Sequence, residues 1–279
     1  MVWADWAVWV ALVAMVVAIV QMVRLRRKNR RLQQLAAEAN RLRREADEAS
    51  RRNRQLKQEM TSNIAHELKT PVSSIRGYLE ILLSDKPVEP DRQRHFLERS
   101  YRQTIRLSEL ILDVSVINKL EESADLFPRA AEDVRVVAQE AIDDLTDQSS
   151  RHGIVVHNHL PQYMPLQGNH ELLFCIFRNL TENSISYAGE GADVVVETYK
   201  DAVDSYYIHF YDTGRGVPDE YLSRLFDRFV RIGEGRSRTD GGTGLGLSIV
   251  KHAVLFHGGE IYAKNRSEGG LEFFFSLKK

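Results

Sequence analysis

The sequence predicts a multidomain chain. We expect a single N-terminal transmembrane helix, a coiled coil, a helical hairpin that forms a dimeric four-helix bundle, and a C-terminal two-layer α/β sandwich. Residues 6–23 are almost continuously apolar, residues 25–60 repeat apolar side chains with a heptad period, and helices alternate with strands after Pro128. The 279 residues, 43% of them apolar and 28% charged, are enough for two small domains and additional segments.

The charge balance and the cysteine content exclude some classes of protein. The net charge is −1, so we expect no nucleic-acid partner. The single cysteine, Cys175, lies in an apolar helical pattern and is expected to be buried. One cysteine supplies neither a disulfide framework nor a zinc site, which suits a reducing cytosol.

The apolar segment 6–23 would span about 27 Å as a helix, close to the hydrocarbon thickness of a bilayer. Trp3, Trp6 and Trp9 cluster at one end, and a run of basic residues begins at Arg24. The positive-inside rule places the body of the chain in the cytoplasm, with membrane lipid as a partner. Little chain lies on the other side, so we expect no soluble external ligand. A cleaved signal peptide and a basic nucleic-acid patch are the alternative interpretations.

Residues 24–60 are predicted to form the coiled coil. Leu32, Leu35, Leu42 and Leu56 occupy core heptad positions, and Asn53 is the type of polar core residue that fixes register. A single solvated, charged helix is the alternative. The heptads continue into the next segment almost without interruption, so a rotation or slide at the membrane could be transmitted along the helix.

Residues 61–122 are predicted to form the hairpin. The first helix continues to about Leu83, the segment 84–90 breaks the pattern, and a second helix extends to about Leu120. The apolar faces are too extensive for two helices to bury alone. We therefore expect two hairpins to pair in a homodimer.

His66, Glu67 and Thr70 share one surface of the first helix because they are three and four positions apart. An imidazole, a carboxylate and a hydroxyl so placed suit acid/base or nucleophilic chemistry. Taken alone, a solvated His-Glu pair on a polar helix is an equally good interpretation. Pro71 removes one helical hydrogen bond and can bend the helix after the histidine.

Residues 128–279 are predicted to form the two-layer α/β sandwich, with helices at 133–148 and 169–187 and strands at 153–159, 193–199 and 205–211. Asn179 and Asn183 share one face of the second of these helices. Their carboxamides can bind phosphate oxygens or Mg²⁺, although asparagines on a helix are often only surface residues.

Asp212 follows a predicted strand. Its carboxylate can accept a hydrogen bond from an exocyclic amine, and Gly214 and Gly216 let the backbone pass close to a flat ring. A simple turn would explain these glycines equally well.

Gly242, Gly244 and Gly246 open another helix, where backbone N–H groups can face phosphates. A dinucleotide-binding fold uses a similar device. Its glycines would follow an early strand, however, whereas these lie near the C-terminus, and the chain has no Walker lysine motif.

These motifs, in this order, resemble those of the sensor histidine kinases of two-component systems, from about Arg24 to the C-terminus. The resemblance implies HisKA-type dimerisation and phosphoacceptor helices followed by a GHKL-type ATP-binding domain of the Bergerat type. Residues 1–23 would be the anchor, 24–60 the linker, 61–122 the dimerisation and phosphotransfer domain, and 128–279 the catalytic domain.

The resemblance also implies roles for the residues of the first helix. His66 would be phosphorylated by ATP, Glu67 would orient and deprotonate the imidazole, and Thr70 would serve a phosphatase reaction.

In the catalytic domain, Asn183 would bind Mg²⁺, Asn179 would support the phosphates and Asp212 would recognise adenine. Residues 225–229 and 233–240 are similar to the phenylalanine box and the mobile lid, where Arg228 would contact phosphate or the lid. Two positions depart from the family pattern, which commonly has a lysine at Ser186 and often an aspartate at Asn169.

The function implied is that of a membrane-bound kinase of the bacterial inner membrane, with its catalytic body in the cytoplasm. It would use ATP and Mg²⁺, phosphorylate His66, pass the phosphoryl group to an aspartate in the receiver domain of a response regulator, and dephosphorylate that regulator. The alternatives are a catalytically weak ATP-binding scaffold for a regulator, and an ATPase related to gyrase, Hsp90 and mismatch-repair proteins.

Overall fold

The computed structural model describes residues 2–84, 87–122, 126–230 and 242–279. The chain divides into two compact units, Met1–Ser62 and Asn63–Lys279. Two long helices come first, α1 (Val2–Leu82) and α2 (Pro90–Glu122). The C-terminal end of each helix lies within two residues of the end predicted from the sequence.

The backbone of the N-terminal segment is helical, but most side chains between residues 2 and 20 lie outside the described part of the chain, as does the side chain of Asn53. Within the described residues, no helix is both long and apolar enough to cross a membrane.

The hairpin formed by α1 and α2 is antiparallel, as contacts within the second unit show. The rings of Tyr78 and Phe96 stack with centroids 5.5 Å apart, and Glu67 lies 3.6 Å from Arg106. In the direction in which residue numbers increase along α2, they therefore decrease along α1. Pro71 lies inside α1 and is buried.

The C-terminal region contains five helices and seven strands in its described part. The helices are α3 (Val134–Asp144), α4 (Thr146–Arg151), α5 (His170–Tyr187), α6 (Asp219–Leu222) and α7 (Gly246–Phe256). The strands are β1 (Ala130–Asp133), β2 (Val155–His159), β3 (Pro165–Gly168), β4 (Asp193–Asp201), β5 (Ser205–Asp212), β6 (Ile261–Asn265) and β7 (Leu271–Lys278).

The main sheet has the strand order β2-β4-β5-β7-β6, in which β2 and β4 are parallel and the other pairs are antiparallel. Strands β1 and β3 form a separate antiparallel pair. Every second residue of β5 is buried, including Ile208 and Phe210, as expected for a sheet with one covered face. Helix α5 contacts α3 and α7, and its Phe177 packs on Phe275 of β7. The predicted two-layer α/β sandwich is confirmed.

The start of α5 is fixed by Asn169. Its side-chain oxygen accepts the N–H of Leu172 at 3.0 Å, and its side-chain nitrogen donates to the carbonyl of Pro128 at 3.0 Å. Its backbone N–H donates to Nε2 of His257, whose pKa is lowered by burial and whose Nδ1 lies 2.7 Å from the carbonyl of Ala253. Asn169 is therefore a helix cap, and an aspartate could not make the bond to Pro128 when ionised.

Candidate active site

Helix α5 carries the two asparagines predicted to face a nucleotide. The amide nitrogen of Asn179 donates to the carbonyl of Cys175 at 2.8 Å. Its Oδ1 lies against the glycine-rich loop, because a Cβ built on Gly246 would be only 2.5 Å away. Asn183 is half-buried, and its side-chain amide makes no hydrogen bond within the described part of the chain. Ser186 is exposed on the last turn of the helix.

Asp212 ends β5 and is buried. Its Oδ1 accepts the backbone N–H groups of Gly214 at 2.9 Å and Leu271 at 3.3 Å, while Oδ2 accepts the hydroxyl of Ser184 on α5 at 3.4 Å. Burial raises the pKa of Asp212 and outweighs the opposing effect of these donors. One oxygen is therefore committed to the backbone, and the other retains capacity for a further donor.

Two positions of the turn after Asp212 can hold only glycine. A Cβ at Gly214 would lie 2.4 Å from the Cα of Ala188, at the end of α5. Gly216 has a φ of +68°, in the left-handed region, and a Cβ there would lie 2.6 Å from Oδ1 of Asn265. Asn265 holds the turn by accepting the N–H of Val217 at 2.9 Å and donating to its carbonyl at 2.7 Å. Both predicted glycines are thus required by close packing.

The glycine-rich loop, defined here as Gly242–Gly246, contacts the asparagine motif and the predicted phenylalanine box. Gly244 has a φ of +75°, and its carbonyl accepts the N–H of Phe229 from the predicted phenylalanine box at 2.8 Å. Phe229 itself has a φ of +61°, which is uncommon for a residue with a side chain. Arg228 is half-buried, and the predicted lid, 233–240, lies outside the described residues, as does Gly241.

These residues fit a magnesium nucleotide. Asp212 offers an acceptor of the kind that an adenine amine needs, and Asn183 offers an amide oxygen of the hard type that Mg²⁺ prefers. Three glycines at the start of α7 leave backbone N–H groups without side chains beside them. Contacts through Ser184, Gly246 and Phe229 bring all four predicted motifs of the catalytic domain together.

The predicted phosphoacceptor lies on α1. The side chain of His66 is 73% exposed, and its Nδ1 lies 3.9 Å from Oε1 of Glu67, whose side chain is 27% exposed. The hydroxyl of Thr70 donates to the carbonyl of His66 at 3.3 Å. The imidazole is thus open to large partners, and the carboxylate beside it is shielded from water on most sides.

Two contacts of the hairpin formed by α1 and α2 were not predicted from the sequence. Nη2 of Arg106, on α2, lies 3.6 Å from Oε2 of Glu67. Further along α2, Oδ2 of Asp113 accepts the hydroxyl of Thr243 from the glycine-rich loop at 2.7 Å. No sequence signal identifies such partners, because 39 and 130 positions separate the members of each pair.

Two family models match the chain. The His Kinase A (phospho-acceptor) domain matches residues 56–123, and the family described as histidine kinase-, DNA gyrase B- and HSP90-like ATPase matches residues 168–279. Together they cover well over half of the sequence and include every predicted site residue. The chain belongs to the sensor histidine kinases of two-component systems.

Similar proteins agree with this assignment. The sensor-like histidine kinase SenX3 of Mycolicibacterium smegmatis is 31% identical over 226 residues, which are 81% of this chain and 58% of the relative. The sensor protein VanS of Enterococcus faecium is 29% identical over 213 residues, 76% of this chain and 54% of that protein. The chain therefore spans little more than half the length of these curated relatives.

The fold is also that of a solved histidine kinase. The crystal structure of histidine kinase ThkA in complex with the response regulator protein TrrA matches with a TM-score of 0.61 and 20% sequence identity. The match covers 79% of this chain and 61% of that chain. At this level of identity the likeness establishes a shared fold.

Proposed function

We propose that this chain is a protein-histidine kinase that uses Mg²⁺ and ATP to phosphorylate His66 and then transfers the phosphoryl group to an aspartate in the receiver domain of a response regulator. The observation that carries the proposal is the exposed imidazole of His66 beside the shielded carboxylate of Glu67. A chain that only hydrolysed ATP would have no use for this pair. The family match and the assembled nucleotide residues support the rest of the assignment.

In the proposed reaction, Nε2 of His66 attacks the γ-phosphorus of ATP as the bond to the β-phosphate oxygen breaks, so that ADP leaves. The ring then carries a proton on Nδ1, and Glu67 accepts it or stabilises it there. Their separation of 3.9 Å is longer than a hydrogen bond, so the two side chains would have to approach each other for this contact to form. The exposure of the ring allows first the nucleotide and later the receiver aspartate to reach the same nitrogen.

The nucleotide residues would act by positioning. Asp212 would accept the adenine amine, Asn179 and the N–H groups of the glycine-rich loop would face the phosphates, and Asn183 would supply an oxygen to the metal. Bound Mg²⁺ would neutralise charge on the phosphates. Arg228, next to the loop through Phe229, would contact phosphate or the lid. Ser186 is uncharged, whereas the family commonly has a lysine at this position. Either another cation of this chain would contact the phosphates, or the reaction would proceed without that contact.

We further propose that two chains pair through the hairpin. Large apolar side chains remain exposed along both helices in the single chain, which is the pattern expected when a second hairpin covers them. They include Val72, Leu79 and Ile81 on α1, and Leu97, Ile105 and Leu112 on α2. Sedimentation should give twice the mass of one chain, and Leu112→Glu should shift the chain toward the monomer.

We also propose that residues 6–23 anchor the kinase in the bacterial inner membrane, with the coiled coil of residues 24–60 connecting the anchor to His66. The apolar run and the basic residues after it support this proposal. The whole chain should sediment with the membrane fraction, whereas a chain that lacks residues 2–23 should not. Equal distribution of both forms would contradict it.

The test of the main proposal is direct. The purified full-length chain is incubated with Mg²⁺ and ATP labelled at the γ-phosphate, and we expect acid-labile, base-stable label on His66. His66→Gln should bind ATP normally and take up no label. Release of phosphate without any labelled protein would instead favour an ATPase, and ATP binding without either product would favour a scaffold.

A further inference from the structure

We propose that Arg106 is a positioning residue for the phosphorylation of His66, an inference that rests on the proposed kinase activity. The two oxygens of Glu67 have different neighbours. Oε2 lies 3.6 Å from Nη2 of Arg106, and Oε1 lies 3.9 Å from Nδ1 of His66. The guanidinium approaches from the antiparallel helix, so α2 determines which way the carboxylate faces.

The surroundings favour a real constraint on Glu67. The side chains of Arg106 and Glu67 are only 17% and 27% exposed, so their attraction is screened less than that of a surface pair. Without the guanidinium, the carboxylate would rotate toward water and leave Nδ1 of His66 without its acceptor. The nucleotide residues lie on other elements. Loss of Arg106 should therefore slow the chemical step and leave ATP affinity unchanged.

The experiment compares Arg106→Gln with Arg106→Lys and with Arg102→Gln, an exposed arginine one turn earlier on α2. We expect Arg106→Gln to lower kcat for labelling of His66 by about ten- to a hundredfold at unchanged KM for ATP. Arg106→Lys should restore part of the rate, and Arg102→Gln should behave like the wild type. Thermal unfolding of each variant identifies any general loss of folding.

A second arrangement separates positioning from structure. In a Glu67→Gln background, the change Arg106→Gln should have little further effect, because the carboxylate that it orients is already gone. An equal loss in both backgrounds, or a rise in KM, would overturn the proposal. If the wild type itself takes up no label, the proposed kinase activity fails, which is a different result.

A separate observation concerns Thr243 and Asp113. We infer that their hydrogen bond is an autoinhibitory contact that holds the glycine-rich loop against α2 at a position from which phosphate cannot reach His66. At 2.7 Å the bond is short, and the same hydroxyl accepts the N–H of Leu245 at 3.2 Å, which fixes the loop around it. This inference also rests on the proposed kinase activity.

The position of the contact along α2 supports the inference. Arg106 is level with Glu67, and Asp113 follows Arg106 by seven residues, which is about 10 Å along the helix axis. Phosphoryl transfer needs the reacting atoms within roughly 3.5 Å of each other. A loop held at Asp113 therefore favours a phosphate position away from His66, and release of the loop would let the two meet.

The charges beside the contact also offer little to a bound nucleotide. Glu109 and Asp113 of α2 face Arg178 and Glu182 of α5, and burial raises the pKa of both α2 carboxyl groups. Glu109 also feels Arg106, and burial raises the pKa of Glu182 as well, so three shielded carboxyl groups share two guanidiniums where the loop meets α2. Anionic phosphates gain little from such a group. The docked state instead gains from apolar contact, because Leu110 of α2 is buried and α2 packs against α7.

The test uses Asp113→Ala, which removes both the acceptor and the charge, with Glu98→Ala on the exposed side of α2 as the control. We expect Asp113→Ala to raise both ATP affinity and the rate of His66 labelling several-fold, and Glu98→Ala to change neither. A fall in labelling, or no change in an active protein, would overturn the inference. Inactivity of the wild type would instead refute the kinase assignment.

A trapping experiment tests the geometry. In a chain that carries both Asp113→Cys and Thr243→Cys, oxidation should join the two elements and abolish labelling, and a reducing agent should restore it. The native thiol of Cys175 is replaced by serine in this variant, because Cys175 lies close enough to Asp113 to feel its charge and could pair with the new cysteine. Full activity in the cross-linked form would show that the docked arrangement is competent, contrary to the inference.

Discussion

The substitution Asp212→Asn should separate nucleotide binding from the stability of the domain. In the wild type, Oδ1 of Asp212 accepts two backbone N–H groups, and Oδ2 accepts the hydroxyl of Ser184. An asparagine can keep the backbone bonds through its carbonyl oxygen, and the hydroxyl of Ser184 can turn to accept from the new amide. The fold thus loses little. The group presented to adenine, however, changes from an acceptor to a donor.

The magnitude follows from the type of bond that is lost. A hydrogen bond to a charged, buried acceptor contributes about 1.5–3 kcal/mol, which corresponds to roughly a 10- to 150-fold loss of ATP affinity. The free energy of unfolding of the Asn variant should equal or exceed that of the wild type. Burial raises the pKa of Asp212, so the ionised carboxylate destabilises the nucleotide-free fold at neutral pH.

The raised pKa of Asp212 also determines how its contribution to stability changes with pH. A pKa raised in the folded state means that the folded protein holds this proton more tightly than the unfolded chain. The contribution of Asp212 to the free energy of unfolding is therefore largest at low pH, and it is lost as the pH rises from the ordinary pKa of aspartate through the raised one. The Asn variant should lack this decline.

The assays are calorimetric titration with ATP and thermal unfolding of the nucleotide-free chain across acidic pH. Weaker binding with unchanged or higher thermal stability is the expected result. If the variant binds ATP like the wild type, Asp212 does not recognise adenine. If it binds weakly only because it is largely unfolded, the argument about its two oxygens is wrong.

Three other experiments test other parts of the structure. Gly214→Ala should lower the thermal stability and abolish ATP binding, because its Cβ would lie 2.4 Å from the backbone at the end of α5, whereas Gly242→Ala has open space and should fold normally. The thiol of Cys175, with its pKa raised to about 11, should resist alkylation at neutral pH until urea unfolds the chain. Thr70→Ala should leave labelling of His66 intact and slow dephosphorylation of the regulator; equal losses in both assays would indicate that the 3.3 Å bond to the helix carbonyl is its main role.

The sequence was sufficient to predict elements with strong local signals. Helix α5 was expected at 169–187 and occurs at His170–Tyr187, because Asn169 is a good cap and apolar residues recur with the helical period. The strands β6 and β7 were not predicted. The core of β7 is a run of three phenylalanines, and a short apolar run carries no period that separates a strand from a buried helix.

The candidate site shows the same division. Side chains within one motif, such as Asn179 and Asn183, could be placed on one face from their spacing alone. The second partners could not, because each comes from a distant segment: Arg106 from the opposite helix to Glu67, and Ser184 from the helix beside Asp212. Local patterns specify elements, whereas tertiary packing decides which charged groups meet.

The two ends of the nucleotide site differ in what holds them. The proposed adenine end is built on Asp212 and on glycines packed against backbone, so it is fixed by the sandwich itself. The proposed phosphate end is the glycine-rich loop, and its Thr243 donates a hydrogen bond to Asp113 of the hairpin. If this one loop serves both phosphate binding and docking, as we propose, any coupling between the two must be reciprocal. If ATP favours release of the loop by some factor, then a movement of α2 that releases the loop must raise ATP affinity by that same factor. A signal carried along the hairpin could therefore control the kinase by changing the hold of α2 on this one loop.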